Sequence, residues 1–134
     1  MASKSELKSE AISAVRSLDK DAVIRALDEL RAFQTNWDGY GAAPLDPRNL
    51  DAVQRFIESL PDGAAPTPKV VPMTRGRVQL EWHRGNRSLE LEFENPATVH
   101  YLQWDSDQGI ETEDVVSSER AEVLTGLLSW FSAE

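Results

Sequence analysis

The chain has 134 residues, a formal charge of −9 and no cysteine. That is the length of one domain, and it offers no disulfide framework, no thiol nucleophile and no thiolate metal site. Apolar residues make up 40% and charged residues 28%, too apolar for a disordered chain, and no run approaches the ~20 apolar residues of a membrane span.

Leu7, Ala11, Ala14, Val15 and Leu18 recur at helical spacing and predict an amphipathic helix over residues 5–18. Val23, Ala26, Leu27, Leu30 and Phe33 form a second stripe, with Asp28 and Glu29 opposite and Asp19 or Asp21 as its cap. One bent helix and two separate helices both fit residues 5–34. Gln34 to Leu45 reads as a loop. Asp46 is then an N-cap, Pro47 occupies the first helical position, and Leu45 and Leu50 have the spacing of a hydrophobic staple. Leu50, Val53, Phe56, Ile57 and Leu60 form the buried stripe of that helix, which Pro61-Asp62-Gly63 stops.

After a short Pro/Ala connector, Ala64 to Pro68, the period changes to two. Val70, Val71 and Met73 lead into a turn at Thr74-Arg75-Gly76. Val78, Leu80 and Trp82 alternate with Gln79, Glu81 and His83, and Arg84 to Arg87 turns the chain. Leu89, Leu91 and Phe93 alternate with Glu90, Glu92 and Glu94. A strand from Thr98 to Trp104 follows Asn95-Pro96-Ala97. Asp105 to Gly109 is a polar turn, and Ile110 to Val115 a short edge strand. Strands joined this closely pair antiparallel, and their split into one apolar and one charged face calls for helices on one side only. Ser117 or Ser118 is expected to cap the last helix, with Glu119 and Glu122 in its first turn. Val123, Leu124, Leu127, Leu128 and Phe131 form its buried face, with Trp130 at the rim.

The expected fold is α+β: N-terminal helices, a four- to five-stranded antiparallel meander covered on one face, and a C-terminal helix. Residues 1–134 form one domain, divided into a helical segment 1–34, an aromatic loop and helix 35–63, a sheet 68–115 and a final helix 117–132.

Charge is uneven: residues 101–134 hold eight acids against Arg120 alone. Such a surface repels phosphates and anionic lipid, so neither nucleic acid nor membrane is an expected direct partner. Met1 to Glu6 lacks the apolar stretch of a signal peptide, which favours a cytoplasmic protein. There is no P-loop, no G-x-G-x-x-G after a strand, no G-x-S-x-G and no H-E-x-x-H. Ser117-Ser118 reads as a cap, since a nucleophile there would lack an adjacent histidine. No catalytic residue, cofactor site or metal site is therefore expected.

Two features invite a functional reading. In Asn36-Trp37-Asp38-Gly39-Tyr40-Gly41-Ala42, glycines permit φ > 0 and Asp38 can bond backbone amides two residues on. Trp37 and Tyr40 either tuck between the second helix and the sheet or keep their ring faces exposed to grip a partner. The second feature is the charged sheet face, where Glu81, His83, Glu90, Glu92 and Glu94 gather, joined by Arg77 and Gln79. The bland reading is a solvated outer face of weak ion pairs. The two histidines, His83 and His100, fall on different strands.

The Asn36 to Pro44 segment resembles one carried by a widespread set of short, uncharacterised bacterial proteins, Asn/Gly-Trp-Asp-Gly-Tyr-Gly-Ala-x-Pro. The likeness continues through Leu60-Pro61, Val70 to Pro72, Gly76 to Trp82 and Leu89 to Phe93, covering about residues 30–105. It implies a single domain and transfers no catalytic residue. The N-terminal helical segment and the acidic tail lie outside it.

The functional expectation is a non-catalytic protein-binding factor: an adaptor, inhibitor, immunity or antitoxin-like protein, or small chaperone. It would act through an acidic and aromatic surface built from Trp37, Asp38, Tyr40, Trp82, Trp104, Asp105, Asp107, Glu111, Glu113 and Asp114. One alternative is a nucleic-acid mimic whose carboxylates in 101–134 block a DNA- or RNA-binding defence complex. Another is a hydrolase or metal enzyme using His83 with Glu81, Glu90 or Glu92. Self-pairing into a homodimer through Leu7, Val15, Val23, Leu27 and Leu30 is a further reading.

Overall fold

In the computed structural model, which describes residues 17–133, Asp19 starts helix α1 (Lys20–Arg31) by accepting the Ala22 N–H at 3.0 Å. Ser17 to Asp19 are not helical, which rules out one continuous helix over residues 5–34. The remainder of the expected 5–18 helix lies outside the described residues. Val23, Leu27 and Leu30 of α1 are buried in the core, so these three offer no face for self-pairing, while Leu7 and Val15 lie outside the described residues. The helix ends at Arg31, leaving Phe33 to meet the Trp37 ring at 5.4 Å between centroids.

Helix α2 (Pro47–Ser59) begins as its sequence dictates, with Asp46 accepting the Arg48 N–H at 2.9 Å and Pro47 in the first turn. Its stripe of Leu50, Val53 and Ile57 is buried, with Leu45 and Leu60 buried beside it. Asn49 is also buried and donates through Nδ2 to the Gly76 and Glu94 carbonyls, tying the helix start to the sheet. Gly76 has φ +74°, and a Cβ there would meet Asp46 at 3.2 Å, so this turn admits no ordinary side chain.

Five strands form one antiparallel meander in chain order: β1 (Lys69–Pro72), β2 (Val78–Arg84), β3 (Arg87–Asn95), β4 (Thr98–Asp105) and β5 (Ile110–Ser117). The β2–β3 register sets Val78 opposite Phe93, Leu80 opposite Leu91 and Trp82 opposite Leu89. These apolar pairs face the helices and form the floor of the core, closed from above by α1, α2 and helix α3 (Ala121–Ser132). The other face carries no helix among the described residues.

The expected cap of the last helix is corrected. β5 runs on to Ser117, so that residue is still strand. Ser117 accepts the Glu119 N–H, and Ser118 Oγ donates to the Pro96 carbonyl at 2.6 Å. The cap position falls to Arg120, which makes no side-chain cap bond, and only Glu122 supplies an acid to the first turn. The other end of α3 is held by the β2–β3 hairpin. Arg84 donates to the Phe131 and Ala133 carbonyls, and Arg87 to those of Trp130 and Ala133. Cations belong there, because the last carbonyls of a helix have no helical partner and carry its negative pole. Each guanidinium also lies over a ring, Arg84 on Phe131 and Arg87 on Trp130.

Candidate functional site

Side chains alternate across a strand, so each strand's second residue set forms the open face. Register assembles that face into rungs. One reads Lys69, Glu81, Glu90, Leu102, Glu113 from β1 to β5. The next reads Val71, Gln79, Glu92, His100, Val115, and a shorter one His83, Ser88, Trp104, Glu111. Carboxylates and apolar side chains are thus interleaved. Between β2 and β5 the face hollows into a concavity of about 500 Å³ lined by Glu90, Glu92, Glu113, His100, Leu102 and Val115, among others.

Ion pairs neutralise one end of this face. Arg77 reaches Glu92 at 2.8 Å and Glu94 at 3.0 Å, and His100 bonds Glu94 at 2.9 Å. The His100 and Arg77 contacts hold the Glu94 carboxyl below its usual range. Glu81 accepts from Gln79 and lies 3.6 Å from His83. Glu90 and Glu113 pair with no cation among the described residues. Partial burial, then the neighbouring charges of Glu81, Glu92 and Glu113, push the Glu90 carboxyl above its ordinary value, and His83 offsets this only in part. The apolar residues beside these acids are open to solvent: Val115 is 51% exposed and Trp104 38%.

The residues expected to form one acidic and aromatic surface are dispersed over the fold. Trp104, Glu111 and Glu113 share the open face. Asp114 is exposed on the opposite side of the same edge strand, and Asp107 is exposed in the β4–β5 turn. Trp37, Asp38 and Tyr40 belong to the loop between α1 and α2, in the helical layer. There Asp38 accepts the Tyr40 and Ala42 N–H groups, Asn36 accepts that of Gly41, and Trp37 Nε1 donates to the Ala43 carbonyl. Trp37 is half-buried against Phe33, while Tyr40 stands 93% exposed, so the two rings divide the two readings between them.

Two of the expected contact residues are corrected. Trp82 is 2% exposed, buried under the helices, with its Nε1 donating to the Pro66 carbonyl. It faces inward because it alternates in step with Leu80. Asp105 is 1% exposed and is a hub of the fold. It accepts from Asn86, Arg87 and the Asp107 and Gln108 amides. Burial alone would raise its pKa, but these donors outweigh that and hold the carboxyl below its ordinary value. A charge so fully bonded has nothing left for a partner.

Conversely, Leu102 and Val115 belong to the open face beside Glu90 and were not among the residues expected there. Alternation from inward Val99 and Tyr101 to outward His100, Leu102 and Trp104 was the signal that would have found the first of them. Among the described residues, no three or more His, Asp or Glu side chains are arranged to hold a metal ion. No described helix is long and apolar enough to cross a membrane. No family model matches the chain, and comparison with curated proteins and with solved structures finds no match for it.

Proposed function

We propose that the protein is a non-catalytic binding factor whose open sheet face receives a basic, partly apolar segment of another protein. The observation that carries this reading is the state of Glu90 and Glu113. They stand on the same uncovered rung, on either side of Leu102, with no cation paired to either among the described residues. A lysine or arginine from a partner would answer the neighbouring carboxylate charge that, after burial, raises the Glu90 carboxyl, while Leu102, Val115 and Trp104 would bury apolar surface. Adaptor, inhibitor, antitoxin-like and chaperone roles would all use such a face. The interleaved apolar residues favour a protein partner over mimicry of a phosphate backbone, which calls for an unbroken row of charge.

The test is affinity capture from the native host with two baits, the wild-type chain and a Glu90→Lys/Glu113→Lys double variant whose folding is checked by circular dichroism. The expected result is a stoichiometric basic protein on the wild-type bait, released by salt and lost from the variant. Equal capture by both baits would overturn the assignment to this face.

A further inference from the structure

We propose that the free edge of β5 accepts an extended segment of a partner protein as an additional antiparallel strand, with basic residues opposite Glu111 and Glu113 and an apolar residue opposite Val115. This rests on the open-face reading above and specifies how the partner sits there.

Among the described residues, β5 is the last strand of the sheet and pairs only with β4. In an antiparallel ladder, successive residues point their N–H and C=O groups alternately to one side and the other. The Val115 N–H takes the Asp114 carboxylate at 2.8 Å, which sets that amide on the outer side, away from β4. By the same alternation the backbone groups of Glu113 and Glu111 also point outward. These are the β5 residues whose side chains stand on the open face. One residue set therefore offers both outward backbone groups and the side chains that would select a strand, and at Val115 an incoming carbonyl would replace the Asp114 carboxylate on the N–H.

An antiparallel strand places its directly opposed side chains on the same face, with Cβ atoms about 4.5–5.5 Å apart. From its N-terminus, the matching pattern is apolar, any residue, basic, any residue, basic. The antiparallel sense continues the meander, in which every neighbouring pair is antiparallel. The carboxylates also decide against a second copy as the occupant. Two β5 strands paired about Glu113 would set carboxylate against carboxylate, the device by which edge strands resist self-association. The same charge that repels a copy attracts a basic strand, so the edge is closed to one and open to the other.

The probe is a synthetic peptide, valine–threonine–lysine–threonine–lysine flanked by threonines, titrated into the full-length chain at low salt. Two isomers carry N-methyl groups, one on the valine and lysine nitrogens and one on the threonine nitrogens. Charge and side chains are the same in both. Because opposed residues in the bonded register use their own amides, the first isomer is expected to bind at least about tenfold more weakly, since its hydrogen bonds to the β5 backbone are lost. The second is expected to bind like the parent peptide, and Glu113→Lys to weaken the parent peptide. Equal binding of the two isomers, with the Glu113→Lys effect intact, would overturn strand addition and leave the open-face reading standing. No binding of the parent peptide would also overturn strand addition, and the two-bait capture then judges the face by itself.

Discussion

The two faces of β3 differ by a shift of one residue and nothing else. Leu89, Leu91 and Phe93 are fully buried beneath the helices, while Glu90, Glu92 and Glu94 stand on the uncovered side. The backbone is the same for both, and so is the hydrogen-bond ladder. What separates them is the company that register supplies. The inward residues meet apolar partners from every neighbouring element. The outward ones meet a mixture in which some charges are answered and others, Glu90 and Glu113, find no cation among the described residues. Among the described residues, one face has its interactions completed and the other leaves some of them open, which is the contrast the proposed function builds on.

The largest effect should come from the closed face. Phe93→Ala is expected to lower stability by about 3–5 kcal/mol, because the cavity opens beneath Phe56. Val115→Thr on the open face should stay within about 0.5 kcal/mol, as an exposed substitution away from packed contacts does. Urea unfolding of the two variants measures the contrast directly. If Val115→Thr proves as damaging as Phe93→Ala, the open face is structural after all.

Asp105 provides the next test, since it is charged yet belongs to the closed set. Its carboxyl titrates lower in the folded state than in the unfolded chain, so its contribution is present above the ordinary aspartate range and disappears as pH falls below it. Asp105→Asn should therefore lower the thermal midpoint clearly at pH 7, and the deficit should shrink as pH falls below the ordinary aspartate range. A deficit that stays constant with pH would mean that shape and not charge holds the hub together.

The aromatic loop repeats the contrast on a smaller scale. Gly39 has φ +80°, where a side chain costs about 1–2 kcal/mol, so Gly39→Val should destabilise by that order. Tyr40→Ala should leave stability unchanged, because the ring is exposed and its residue is anchored through the backbone to Asp38. The smallest effect has the opposite sign. Glu90 holds its proton more tightly when folded than when unfolded, so its contribution to stability falls as pH rises through its elevated range. Glu90→Gln should raise the thermal midpoint slightly at pH 7, and the gain should vanish near pH 3, where carboxylates are protonated in both states.

Local signals carried most of the architecture. Asp46-Pro47 marked a helix start that the structure places at the same residues. The alternation in Leu89 to Glu94 is the strand's burial pattern read out directly. The serine pair before the last helix misled because capping chemistry is common to turns and helix starts alike, and Ser117 was still bonded into β5. Trp82 and Asp105 misled for another reason. Residue type says that a tryptophan or an aspartate can serve a partner, but only its neighbours say whether it is already engaged.

The chain's own periodicities determined the elements, their order and the antiparallel sense of the sheet, because these follow from spacing along the backbone over a few residues. Which carboxylates were answered, which aromatic rings were covered and which strand edge was left free were decided only by tertiary structure. Those properties depend on contacts between residues far apart in the chain, such as Asp105 with Arg87 or Trp82 with Pro66, and no local pattern records them.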